Sequence, residues 1–236
     1  MTSKLTRKIL TAVALGGCAA ALGAVPAGAD SGTPSFSDPT RIDNPYLPLS
    51  KFHRCTLRGS EDGEKQRIRR TVLDRTRTFQ IGGASVEAMV VKDRVHADGK
   101  LIENTHDFFA QDDRGAVHYL GERVENIHNG HVRNHSGSWL FGRDTNKLGV
   151  LMPAKPRKGD RWMSEDAPPI TVEHDKMIKR IPRYTVHGHR YRHAIEVREY
   201  ALPDKEIEHK VYAKGVGVID ELPPEGRVGL IGCQRG

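Results

Sequence analysis

From Lys51 onward, apolar and polar residues alternate in short runs rather than recurring every three or four positions. Val86, Ala88 and Val90 fall on one side of an extended chain, and Met89 and Val91 on the other. That pattern predicts a strand buried on both faces. Ile195 and Val197 alternate with Glu196 and Arg198, and Ile207, His209 and Val211 alternate with Glu208, Lys210 and Tyr212. These predict strands buried on one face only. Turn-forming pairs separate the runs: Asp62-Gly63, Gly82-Gly83, Asp98-Gly99, Arg114-Gly115, Asn129-Gly130, His187-Gly188 and Pro203-Asp204. No stretch reads as a long amphipathic helix. The chain is therefore expected to be all-β, an antiparallel meander forming a curved sheet, an open barrel or a sandwich.

The densest stretch is Leu101 to Glu122. Strands are expected over Leu101–Gln111 and Ala116–Val124, joined at Asp112-Asp113-Arg114-Gly115. Glu103, Thr105, Asp107 and Phe109 then share one face. If Arg114-Gly115 is a two-residue loop, Asp107 stands opposite Glu122, and His106 opposite Arg123. Facing carboxylates repel unless a cation, a metal or a shared proton lies between them. Asp107 and Glu122, with Glu103 and His106, are thus the candidate catalytic residues. The plainer alternatives are a turn one residue different, or neutralisation of the pair by an arginine such as Arg94.

The N-terminal segment changes where such a domain would work. Lys4, Arg7 and Lys8 precede the apolar run Ile9–Val25, and Ala27-Gly28-Ala29 is a small-residue cleavage site. Residues 1–29 are expected to be a signal peptide, 30–50 a Pro-rich extended leader, and 51–236 a single β-rich domain. Within that domain residues 143–169, carrying Pro153, Pro156, Pro168 and Pro169, are expected to be a long surface connection. The run is short for a permanent span, so no transmembrane segment is expected in the mature chain. Leu15-Gly16-Gly17-Cys18 offers the alternative of a lipoprotein anchored through Cys18. An exported chain left with Cys55 and Cys233 predicts a disulfide tying its first strand to its last. The formal charge of +7 falls once the three signal-peptide bases are gone. The remainder is too slight to imply nucleic acid as a partner. The basic run Lys65, Arg67, Arg69, Arg70, Arg75 and Arg77 reads as a solvated strand face, or as a contact for anionic wall polymer or lipid headgroups.

All 12 histidines lie in the mature part. His187, His189 and His193 form one cluster and His128, His131 and His135 another. The first gives the candidate metal ligands, although Gly188 marks it as a turn. Nucleophile-elbow, zinc-protease and phosphate-loop patterns are absent, and no cofactor is expected. A curved antiparallel sheet can enclose a ligand without any such motif. Phe109, Tyr119, Trp139 and Tyr212 are the candidate wall residues. A faint echo between Leu101–Glu122 and Glu206–Glu221, an Ile-Glu pair followed by an aromatic-Ala pair, suggests a duplicated half.

Asn44-Pro45-Tyr46-Leu47-Pro48-Leu49, Ala110-Gln111-Asp112 with Gly115-x-Val117, Gly137-Ser138-Trp139, and Tyr212-Ala213-x-Gly215-Val216-Gly217 together resemble a family of secreted bacterial proteins. That family has no assigned activity, so the resemblance implies export but transfers no catalytic residue. The Gly-Val-Gly strand is also similar to those of envelope proteins with open, lipid-holding barrels. The expectation is thus an extracytoplasmic binding protein for an apolar or cell-envelope ligand, with a lipid or cell-wall component as partner. The alternatives are a carboxylate-dependent hydrolase using Asp107 and Glu122, and a structural or interaction protein of the envelope.

Overall fold

The computed structural model describes residues 33–203 and 205–236. The expected signal peptide, with its expected cleavage site and Cys18, lies outside the described residues, as does Asp204. The described chain is almost entirely strand; apart from strands it carries one 3-10 turn, at Leu49–Lys51.

Six strands form a first meander: β1 (Arg54–Glu61), β2 (Glu64–Ile81), β3 (Ala84–Ala97), β4 (Lys100–Gln111), β5 (Val117–His128) and β6 (His131–Asn134). Two short strands, β7 (Trp139–Leu140) and β8 (Gly149–Met152), pair with β5. A second meander comprises β9 (Arg161–Ala167), β10 (Thr171–Val186), β11 (His189–Leu202), β12 (Glu206–Ala213), β13 (Gly217–Leu222) and β14 (Gly226–Gln234). All belong to one antiparallel sheet, in which β1 meets β14 at the centre and β6 and β9 stand at the ends. The sheet curves without closing into a barrel. Its end strand β9 nevertheless lies against β8, where a side chain at Gly149 would collide with the Ser164 carbonyl.

Each of the six turn pairs that lie wholly within the described residues falls between consecutive strands. At Asp62-Gly63, Gly82-Gly83, Asp98-Gly99, Asn129-Gly130 and His187-Gly188 both residues have positive φ. That geometry matches the twist of the strands they join. Cys55 and Cys233 face each other in the β1–β14 register and form the expected disulfide. The echo noted between Leu101–Glu122 and Glu206–Glu221 falls on equivalent strands, the fourth and fifth of each meander.

Three apolar layers result. The inner, concave layer gathers Met89, Val91, Phe109, Tyr119, Trp139 and Tyr212. The leader adds Ile42, Tyr46 and Leu47 to it, so residues 33–50 are part of the fold rather than an appendage. Asn44 fixes the leader through bonds to the Gly115 and Pro153 carbonyls, and Gln111 accepts from the Asp43 and Asn44 amides. On the opposite face of β3 lie Val86, Ala88 and Val90, packed with Phe79 and Phe108. This division matches the two-faced burial expected for that strand. A third layer forms where the far end of the β10–β11 hairpin folds over β14, with Val186, Ile219, Val228 and Leu230.

Two expectations are corrected. Residues 143–169, expected as a long surface connection, carry β8 and β9 and bury Met152 and Ala167 completely. In β12 the expected one-sided burial does not hold: Ile207 is 44% exposed although Val211 on its face is fully buried, and Lys210 and Tyr212 on the other face turn toward the concave interior.

Candidate functional site

The concave face holds an unusual density of charge for an interior. A cavity of about 170 Å³ opens among β2, β3, β4, β5, β8, β9, β10, β12 and β13, with Leu47 and Leu49 of the leader at its edge. Five carboxylates line it, from Asp93, Asp107, Glu165, Glu173 and Glu221, against two bases, Arg70 and Lys210. Phe109, Tyr119 and Tyr212 supply its aromatic wall.

Alternation along each strand explains the convergence. Asp107 and Phe109 point inward from β4, while His106 and Phe108 point outward. The structure sets Asp107 opposite Glu122 and His106 opposite Arg123. It does so by a route the sequence does not show. Asp112 closes a wider turn, accepting from the Arg114 and Ala116 amides at 3.0 and 2.9 Å. Phe109 therefore pairs with Tyr119 and Gln111 with Val117, one residue out of the expected register. A bulge between Asp107 and Phe109 restores it.

The Tyr119 hydroxyl donates to Asp107 Oδ1 at 2.6 Å. Burial, then the charge of Asp93, pushes the Asp107 carboxyl up to about 7, against the Tyr119 bond and the nearby Arg70. Glu122 is driven well above the ordinary glutamate value by burial and by Glu165 and Asp107. Burial, then Glu173, lifts Glu165 to about 8, although Thr171 Oγ1 donates to it. Glu103, on the same face, accepts from Thr105 at 2.9 Å. Arg94, the suggested neutralising residue, is not the interior cation. That role belongs to Arg70, which forks onto Asp93 at 2.7 to 3.1 Å and lies 3.8 Å from Glu221.

Beside the cavity wall at Glu173, Asp175 and Glu199 are directly opposite in the β10–β11 pairing. With Glu173 they bring one carboxylate oxygen each within 4.8 Å of the others, a spacing that suits a hard cation. Glu199 already holds Lys210 at 2.5 Å, and Glu173 accepts from Ser164 Oγ at 2.6 Å. Asp175 Oδ1 is buried without a hydrogen-bond partner. Burial and the neighbouring Glu173 charge raise the Asp175 carboxyl well above its ordinary value. Burial also raises Glu199, against the pull of Lys210. Burial works against the Lys210 charge, but Glu199 and Glu208 outweigh it and raise the ammonium well above its ordinary value.

The remaining candidates divide. Phe109 stacks on Tyr119 at 4.9 Å between ring centres, and Trp139 meets Tyr119 edge-on at 5.4 Å. Phe109, Tyr119 and Tyr212 reach the cavity, whereas Trp139 is fully buried behind it. His106 faces away, into a cleft on the convex side. His187 and His189 flank the β10–β11 turn, where His187 Nε2 bonds the Arg58 carbonyl and docks the hairpin on β1. His193 is an exposed residue with positive φ. Among the described residues, the three-ligand grouping is the carboxylate set Glu173, Asp175 and Glu199 rather than these histidines.

Sequence reasoning missed Arg70, Asp93, Glu165, Glu173, Asp175, Glu199, Lys210 and Glu221. Their only signal is charge at alternate positions, as in Glu173-x-Asp175 and Glu208-x-Lys210, which ordinarily marks a face in water. Comparison with protein-family models, curated proteins and solved structures finds no match for this chain.

Proposed function

We propose that this protein is an extracytoplasmic binding protein whose concave pocket receives a small ligand carrying positive charge. The observation that carries this reading is the charge imbalance of the cavity wall, five carboxylates to two bases. Burying like charges is costly unless a counter-charge or protons compensate. An entering ammonium group would take the place of protons that the carboxyls hold in the empty pocket. The wall suits such a ligand better than the apolar one expected from the aromatic content. The extracytoplasmic setting is supported by the Cys55–Cys233 bridge. Among the described residues no helix is long and apolar enough to cross a membrane, which leaves strand-built spans unaddressed.

Isothermal titration with spermidine, choline and glucosamine, alongside neutral glucose and lauric acid, tests the proposal. Saturable binding of an amine, lost in Glu173→Gln and Asp107→Asn, supports it. Binding of lauric acid with no response to any amine overturns it.

A second reading, hydrolysis by paired carboxyls, is favoured by one arrangement. Asp107 and Glu122 are opposite neighbours, and Tyr119 donates to Asp107 from the same wall. A carboxyl near 7 is poised to exchange a proton at neutral pH. Glycan hydrolysis that disappears in both Asp107→Asn and Glu122→Gln would establish it; full turnover in either variant removes that site.

A further inference from the structure

The convex side of the same strands carries the opposite charge. Because side chains alternate, His106 and Arg123 point outward where Asp107 and Glu122 point inward. They open onto a cleft of about 680 Å³, whose cationic walls are Arg75, Arg77, Arg123 and Arg143, with His106 and His135. Its floor is apolar, made by Val90, Phe108 and Val124. The one acid in the lining, Glu125, already accepts a hydrogen bond from Asn104 at 2.6 Å.

Among the described residues, Arg75, Arg77 and Arg123 make no ion pair; Arg143 pairs with Asp144 at 2.6 Å. Arg77 is held in place by aromatic faces instead, with its guanidinium 4.8 Å from the Phe108 ring centre and 5.2 Å from that of Phe79. Lys92 adds its charge beside His106. The sheet thus sets three guanidinium groups, those of Arg75, Arg77 and Arg123, around one opening without an ion-pair partner among the described residues. Guanidinium forks match the oxygen pairs of phosphate groups, which they bind through two parallel hydrogen bonds. The cleft is far larger than one such group.

We propose that this cleft binds a soluble chain of successive phosphate groups, each engaged by one or two of the arginines. Part of the basic run in the sequence thereby acquires a role: Arg70 turns inward to the pocket, while Arg75 and Arg77 turn outward to the cleft. The site is separate from the acidic pocket, so either can fail without the other.

The probe is inorganic tripolyphosphate, measured by isothermal titration against orthophosphate. Tripolyphosphate should bind, with orthophosphate weaker by roughly tenfold or more, because only the chain spans several guanidiniums. Raising the salt should weaken binding, as expected for exposed charges. Arg75→Gln with Arg123→Gln, both at exposed positions, should lower affinity by roughly tenfold or more while leaving the unfolding midpoint unchanged. Arg77→Lys keeps the charge but not the fork, and should also weaken binding. No binding of tripolyphosphate, or equal affinity in the double variant, overturns the proposal. So does binding confined to phosphatidylglycerol vesicles, which would assign the cleft to a membrane surface.

Discussion

Replacing Asp107 by Asn removes a charge from the pocket wall while preserving the side chain's shape. Asp107 is 9% exposed, and its carboxyl is displaced from an ordinary 3.8 to about 7. Between those values the folded protein holds a proton that the unfolded chain has released. Stability from this group is therefore complete below its unfolded value and drains away as the pH rises toward 7. The loss amounts to about 4 kcal/mol, at about 1.36 kcal/mol for each pH unit of that interval. Asn has no proton to lose, and its oxygen still accepts from the Tyr119 hydroxyl. The variant should match the parent near its acid limit and exceed it by roughly 4 kcal/mol once Asp107 is ionised. Urea unfolding of both proteins across the acidic to mildly alkaline range measures the gap at each pH. A gap that does not change with pH refutes the reasoning. A parent that gains on the variant as pH rises does so more strongly, since it would mean that Arg70 holds Asp107 ionised throughout.

Replacing Cys55 and Cys233 by Ser should lower stability by about 5 kcal/mol on the chain-entropy account, because the bridge closes almost the whole domain. Denaturant midpoints with and without reductant check this on the parent itself. Amine binding in the concave pocket should tighten with pH through the range where Asp107 and Glu165 titrate, about 7 and 8. The positive ligand favours the ionised carboxyls and expels their protons, so titrations in buffers of differing ionisation enthalpy should report proton release. Trp139→Ala, at a position with no exposed surface, should cost roughly 3–5 kcal/mol in urea unfolding.

Much of the meander was readable because its turns announce themselves. Paired residues that tolerate positive φ, such as Asp98-Gly99 and Asn129-Gly130, mark where the chain reverses. Val86 through Val91 declared two buried faces, since apolar residues occupy both alternating sets of positions there, with Glu87 as the single polar exception. The Asp107–Glu122 pairing was foreseen on a premise only half right. A two-residue loop gives the correct partners, yet the chain reaches them through a wider Asp112 turn and a compensating bulge. The second carboxylate group was not readable at all. Glu173, Asp175, Glu199 and Lys210 sit at alternate positions with polar neighbours, which locally resembles a solvated face. Only the curvature of the whole sheet turns that face inward, and curvature is a property of many strands together. Ile207, near the start of β12, is left exposed although Val211 on its own face is buried. The histidine cluster misled for a related reason: closeness in sequence around a turn sends side chains outward rather than toward one another.

The junction between β1 and β14 has a consequence for how the molecule is made. Apart from the short β7 and β8, which return to β5, every other neighbouring pair joins strands adjacent in the chain, so each six-strand half can zip up through short-range contacts. The central junction alone must wait for residues 178 positions apart to meet. During synthesis the first half is complete long before β14 emerges, and until then β1 offers a bare edge to any passing strand. An intact Cys55–Cys233 bridge makes that junction local, so the oxidised chain should refold faster and aggregate less than the reduced one.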